Sequence, residues 1–198
     1  MQEPASEQEL KERLTLIENM ITEGRRQTES WGWSFILWGL AFYVAIAWSA
    51  WAPNAWAWPV TMVAAIVVSF AVASLKAGSQ PRTSLNRALA SIWIALGVSA
   101  FLLFLALGLS GRLTDAHVFV AVISAILGMA NGASALILRW KAQLACAVVW
   151  WAAAVAGCFG TQAQSTIVFL AAIFLCQILF GAYGVAIEAH KRRGPAHA

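Results

Sequence analysis

Two large polar side chains, Asn131 and Gln177, lie deep within otherwise apolar stretches of the sequence. A carboxamide both donates and accepts hydrogen bonds, so it can join two helices or contact a polar ligand inside a cavity. Hydrogen bonding between helices is a common role of such residues where the surroundings are apolar. We therefore interpret both side chains first as interhelical contacts, and second as candidate lining of a cavity for a neutral solute.

Ionisable side chains are absent from the long apolar runs: none of the six contains Asp, Glu, Lys, Arg or His. Such groups inside a membrane usually mark proton relays, ion pathways or substrate sites. Their absence argues against a proton-coupled transporter and against an intramembrane hydrolase. The sequence also lacks a P-loop, an H-E-x-x-H, a G-x-S-x-G and a paired-cysteine zinc pattern. We expect no enzyme activity, no cofactor and no bound metal.

A short polar stretch before the fourth apolar run contains Arg112, Asp115 and His117. Asp115, or Thr114 beside it, is a suitable N-cap for a helix that begins there. His117 could bind a metal ion, but one histidine without partners is a weak metal signal. We therefore expect these residues to shape the start of a helix.

Tryptophans crowd the predicted loop between the first two runs, at Trp48, Trp51, Trp56 and Trp58. Aromatic faces attract organic cations, so such a cluster could form a cation-binding cage. No acidic residue lies near these tryptophans in the sequence to complete the cage. Anchoring at the membrane interface is the favoured interpretation.

Small residues mark candidate sites of close helix packing. Gly128 and Gly132 form a G-x-x-x-G pattern, which lets two helices approach closely, and we favour a partner helix in the same chain. Gly181 and Gly184 are further candidates in the last run. A small residue seven positions before a basic one recurs in alternate runs, which hints at a threefold repeat of helical hairpins: Ser69 and Lys76, Gly132 and Arg139, Gly184 and Lys191.

The elements that carry these residues are predicted to be transmembrane helices. The chain of 198 residues is 61% hydrophobic and only 11% charged, whereas soluble domains carry about 25% charged residues. Each uncharged run is long enough for a helix to cross about 30 Å of hydrocarbon. The fold class is therefore an all-α integral membrane bundle of six transmembrane helices, arranged as three sequential hairpins over residues 31–190. The predicted spans are 33–51, 57–75, 88–109, 118–138, 142–160 and 166–187.

Residues 1–30 are predicted to form an amphipathic cytoplasmic helix. Ser6 and Glu9 have the spacing of a capping box, and Glu7–Lys11 and Glu9–Arg13 have the spacing of helical ion pairs. The apolar side chains follow a 4-3-4 spacing that places them on one narrow stripe: Leu10, Leu14, Ile17 and Ile21.

Three roles remain open for this stripe: pairing with a second copy or a partner protein, packing under the bundle, or docking flat on the membrane. Residues 1–23 carry six acidic side chains against Lys11 and Arg13. An anionic lipid surface would repel this charge, so protein contact is favoured over lipid contact.

Basic residues predict the orientation of the bundle, since they concentrate in cytoplasmic loops. Twelve of the thirteen fall on one predicted side, and only Arg112 falls on the other. We therefore expect both termini, including the basic tail 191–198, in the cytoplasm. The expected location is a bacterial inner (plasma) membrane, with the lipid bilayer as one partner and no nucleic acid partner.

The sequence favours a non-enzymatic assembly, scaffold or regulatory subunit that uses its N-terminal helix for protein contacts. The alternative is a facilitator or channel for a small neutral or weakly polar solute, lined by Asn131 and Gln177.

Overall fold

The computed structural model describes residues 7–52, 56–76, 84–110 and 115–193. Every regular element within these ranges is a helix, so the predicted all-helical fold is confirmed. In chain order the helices are α1 (Glu7–Ser30), α2 (Gly32–Trp51), α3 (Ala57–Lys76), α4 (Ser84–Leu109), α5 (Ala116–Leu138), α6 (Lys141–Ala156), α7 (Gln162–Ile173), a π-helical segment (Phe174–Leu179) and α8 (Phe180–Arg193). Ser6, Arg82, Arg112 and Thr114 lie outside the described residues.

Within the described parts of the chain, five helices are long and apolar enough to cross a bilayer, which suggests a membrane location. They are α2, α3, α4, α5 and the continuous helix formed by α7, the π-helical segment and α8. The predicted fifth span corresponds to α6, a shorter apolar helix of 16 residues. At 1.5 Å per residue it is about 24 Å long.

Helix α5 lies at the centre of the bundle and α3 and α4 lie at its periphery. About half of the apolar stretch of α5 is buried, against 6% for α3 and for α4. The two outer helices expose large apolar side chains such as Val67, Phe70 and Phe101. Such surfaces suit a lipid environment better than water.

The most extensive helix contact is between α5 and α6, which run antiparallel. Arg139 adopts a left-handed conformation (φ 48°) and turns the chain between them. In the predicted arrangement of three hairpins, α5 ends the second hairpin and α6 begins the third, so these two helices belong to different hairpins. The predicted pairs α2–α3 and α4–α5 are also in contact.

The connection between α6 and α7 begins before residue 160, where the predicted fifth span ends. Helix α6 ends at Ala156, and Gly160 has a positive φ of 82° that favours glycine. Helix α7 then begins four residues before the predicted span, because Thr161 and Gln164 form a capping box. This Thr-x-x-Gln pattern is visible in the sequence and escaped the span prediction.

Candidate functional site

The apolar stripe of α1 is exposed over most of its length. Leu10, Leu14 and Ile17 are each more than half exposed, while Ile21 is half-buried. The stripe is therefore a surface of the molecule from Leu10 to Ile17, and it meets the bundle only at its end. We call the residues Leu10, Leu14 and Ile17 the α1 stripe.

The exposed part of α1 is also acidic. Between Glu7 and Glu23 it has five glutamates against Lys11 and Arg13. The two predicted ion pairs are confirmed, with Lys11 Nζ 2.8 Å from Glu7 Oε1 and Arg13 Nη2 2.6 Å from Glu9 Oε1. Both cations are thus matched within the helix, and the surplus charge of this surface is negative.

The C-terminal half of α1 is packed against the bundle instead. Gly24 is buried against the side chains of Leu85 and Leu138, so α1 contacts both α4 and α5. Arg25 Nη2 donates to the carbonyl oxygens of Leu138 at 3.1 Å and Arg139 at 2.9 Å. These are the last carbonyls of α5, which a cation stabilises because they carry the negative end of the helix dipole.

An ion pair joins α1 to α8 one turn further on. Glu29 is only 6% exposed, and its carboxylate accepts a hydrogen bond from Lys191 Nζ. Sequence reasoning missed this pair, because the two residues are 162 positions apart. It fixes the end of α1 to the last turns of α8.

Two of the predicted packing glycines lie beside this ion pair. A Cβ at Gly181 would lie 2.7 Å from the carbonyl oxygen of Gly32, and one at Gly184 would lie 3.1 Å from the carbonyl oxygen of Glu29. Helices α2 and α8 therefore cross backbone to backbone at this point. Gly32, immediately after the turn at Trp31, also belongs to this crossing. It was not among the packing glycines predicted from the sequence.

The other two packing glycines accommodate a side chain. A Cβ at Gly132 would lie 2.8 Å from Trp151 Cη2, and one at Gly128 would also overlap the Trp151 indole. The G-x-x-x-G face of α5 is thus a groove for a tryptophan of α6. The helix packed against these two glycines lies in the same chain, and the Trp151 ring fills the groove.

The deep carboxamides are buried, at 0% exposure for Asn131 and 3% for Gln177. Asn131 Nδ2 donates to the carbonyl oxygen of Leu127 at 2.9 Å, in its own helix. Asn131 Oδ1, Gln177 Oε1 and both amide atoms of a third buried residue, Gln143, have no hydrogen-bond partner among the described residues. In the sequence, Gln143 is a polar residue near the start of the fifth apolar run.

Gln177 lies in the π-helical segment, where α2 approaches closely. A Cβ at Gly39 of α2 would lie 2.8 Å from Gln177 Cβ. Neither of the two cavities that stand out in the described part of the chain is lined by Asn131 or Gln177.

Asp115 caps α5 as predicted, with Oδ1 accepting from the backbone nitrogen of His117 at 2.9 Å. His117 Nδ1 lies 2.8 Å from the Gly157 carbonyl oxygen and 2.7 Å from Ser165 Oγ. Both groups are within hydrogen-bonding distance of Nδ1. This histidine thus joins the start of α5 to the end of α6 and to α7.

No metal centre is formed by the described residues, since no three His, Cys, Asp or Glu side chains converge there. Comparisons with protein families, with curated proteins and with solved structures each found no match to this chain.

Proposed function

We propose that this chain is a non-enzymatic membrane subunit that assembles with another protein through the α1 stripe. One observation carries the proposal: α1 is a single helix whose C-terminal half is fixed to the bundle and whose N-terminal half exposes Leu10, Leu14 and Ile17. A merely packed helix would bury this stripe against its own bundle. A helix presented for a partner would expose it.

The proposal includes six membrane crossings, arranged as consecutive hairpins, with α6 as the short fifth crossing. The contacts between α5 and α6 support this fifth crossing. Gly132 of α5 lies near Ala147 of α6, and at the other end of the pair Val120 lies against Gly157. From Leu138 back to Val120, α5 rises about 27 Å. Helix α6 and the turn after it therefore return across nearly the same thickness that α5 crosses.

The proposed orientation places both termini in the cytoplasm of a bacterial cell, with the bundle in the inner membrane. The Glu29–Lys191 pair supports a common side, since Glu29 precedes α2 and Lys191 lies in the last turn of α8. The basic side chains near this end, including Arg139 and Lys141, favour the cytoplasmic face.

The occupant that we propose for the α1 stripe is a basic amphipathic helix of a partner protein. An apolar stripe of i, i+4, i+7 spacing is the surface that a second helix recognises. The surplus of glutamates around it would repel a second copy of α1 and attract Lys or Arg. Because its C-terminal half is fixed, α1 avoids the nucleation cost that destabilises short isolated helices.

A pull-down of the full-length protein from native membranes in mild detergent tests the proposal. We expect Leu14→Ala/Ile17→Ala to reduce recovery of a specific partner by more than tenfold, since each truncation removes about 1–2 kcal/mol of apolar burial. Asn19→Ala, on the opposite face of α1, should recover the partner like wild type. Equal recovery by the two variants, or self-association alone, would contradict the proposal.

The facilitator alternative is favoured by the buried carboxamides. Asn131, Gln143 and Gln177 leave amide atoms unpartnered among the described residues, and π-helical segments are frequent at functional sites. This alternative expects Asn131→Leu and Gln177→Leu to abolish flux of a neutral solute into proteoliposomes. Unchanged flux in both variants would exclude it.

A further inference from the structure

A cavity of about 370 Å³ lies at the end of the bundle opposite the Glu29–Lys191 pair, among α2, α3, α5 and α7. Its volume is within the range of small-molecule sites. Its wall includes Ser49, Trp58, Asp115, Phe119, Thr166 and Phe169. In the proposed orientation this end of the bundle faces away from the cytoplasm.

Three aromatic rings from three helices meet at this cavity. Phe119 of α5 lies with its ring centroid 4.9 Å from that of Trp58 of α3, in an edge-to-face arrangement. Its centroid lies 5.6 Å from that of Phe169 of α7, at 85°. These contacts fix the rings in place, and aromatic faces attract cations through their quadrupole.

The polar side chains of the wall supply hydrogen-bond acceptors. Ser49 Oγ donates its proton to the Ala45 carbonyl oxygen at 2.8 Å, and Thr166 Oγ1 donates to the Gln162 carbonyl oxygen at 2.9 Å. Each hydroxyl therefore has only lone pairs left for a ligand. Such a wall disfavours an anion.

Asp115 adds a formal negative charge to this wall. From Trp31 to the end of the sequence, the only acidic residues are Asp115 and Glu188. The capping bond to His117 uses one acceptor site of a carboxylate that has about four. No acidic residue lies near Trp58 in the sequence, but the fold places Asp115 on the same cavity wall.

We propose that this cavity binds a small organic cation, namely an ammonium group with alkyl or aromatic substituents. The aromatic rings contact the substituents, and the Asp115 carboxylate supplies the counter-charge. An alkylated ammonium suits the site because most of the wall is apolar, so a fully hydrated inorganic ion would lose more solvation than it regains.

Isothermal titration calorimetry on the full-length protein in detergent tests the site with choline and benzyltrimethylammonium as probes. The uncharged isostere of choline, 3,3-dimethyl-1-butanol, is the matched control ligand. We expect saturable binding of at least one cation and affinity for the isostere lower by about tenfold or more, as expected for a desolvated cation–π contact with a counter-charge. Saturable binding of neither cation, or equal affinity for the isostere, overturns the proposal.

Asp115→Asn separates the charge from the cap, since asparagine caps helices as well as aspartate does. This variant should keep the thermal stability of the wild type and lose cation affinity about tenfold. Trp58→Phe should bind more tightly than Trp58→Leu, because only the former retains an aromatic face. Glu188→Gln, which removes the only other carboxylate side chain after Trp31, should bind the cation like wild type. Wild-type affinity in Asp115→Asn overturns the proposal.

Discussion

Two charged side chains fix the C-terminal half of α1 to the rest of the molecule. Arg25 binds the last carbonyl oxygens of α5, and Glu29 pairs with Lys191 of α8. The pair is asymmetric, because the Glu29 side chain is 8% exposed while that of Lys191 is 48% exposed. Removing the lysine leaves a buried carboxylate without a cation. Loss of Lys191 should therefore lower the free energy of unfolding more than loss of Glu29.

We expect Lys191→Met to lower the free energy of unfolding by about 1–3 kcal/mol, the cost of leaving a buried acceptor unsatisfied. The methionine retains the apolar stem, so the charge is the principal change. Glu29→Gln/Lys191→Met should be more stable than Lys191→Met alone, since the buried charge is then gone. Thermal unfolding in detergent measures this, with Arg193→Met as the exposed control. Equal melting of Lys191→Met and Arg193→Met would contradict the role of the pair.

At the scale of the helices, glycines divide into those that a neighbour touches and those that face open space. Gly181 of α8 lies against the backbone of α2 at Gly32, where an added Cβ would be closer than ordinary contact. Gly97 of α4 has no such neighbour within 4 Å. Replacing glycine with alanine should therefore destabilise the protein at Gly181 but not at Gly97.

We predict that Gly181→Ala destabilises the protein by about 1–3 kcal/mol, because the α2–α8 crossing must widen. Gly97→Ala should be neutral or stabilising by about 0.5–1 kcal/mol, since alanine restricts the unfolded chain and favours the helix. Thermal unfolding of both purified variants tests the pair of expectations. A stable Gly181→Ala would mean that the two backbones are not in contact.

The positions of the helices could be predicted from the sequence more fully than the contacts between them. Uninterrupted apolar runs place α2 and α3 to within a residue or two of their observed ends, because a helix in an apolar solvent is long and continuous. The end of α6 was missed although a local signal, the Thr161–Gln164 capping box, was present. The Glu29–Lys191 pair and the placement of Asp115 and Trp58 on the wall of one cavity arise from tertiary packing, for which one sequence has no local pattern.

At the scale of the whole molecule, α5 organises the bundle and α3 and α4 cover it loosely. The outer helices present apolar side chains such as Phe70 and Phe101, which lipid would cover in the proposed arrangement. The Glu29–Lys191 pair and Asp115 lie at opposite ends of α5, since Arg25 binds one end of that helix and Asp115 caps the other. The two ends should therefore face opposite compartments.

Cysteine labelling tests this orientation with residues that the chain already has. Cys158 is exposed in the turn after α6, whereas Cys146 and Cys176 are buried. A membrane-impermeant maleimide should modify Cys158 in intact spheroplasts. In Cys158→Ser/Lys141→Cys, the thiol at the other end of α6 should react only after lysis. The reverse pattern would invert the proposed topology.

Photo-cross-linking from α1 in living cells tests whether the α1 stripe contacts a partner protein. A photoreactive benzoylphenylalanine replaces Leu14 in one variant and Asn19, on the opposite face of the same helix, in another. We expect a discrete protein adduct from position 14, none from position 19, and a basic helix in the protein that is captured. Adducts with lipid alone, or identical adducts from both positions, would contradict the assignment of the α1 stripe as a protein-docking surface.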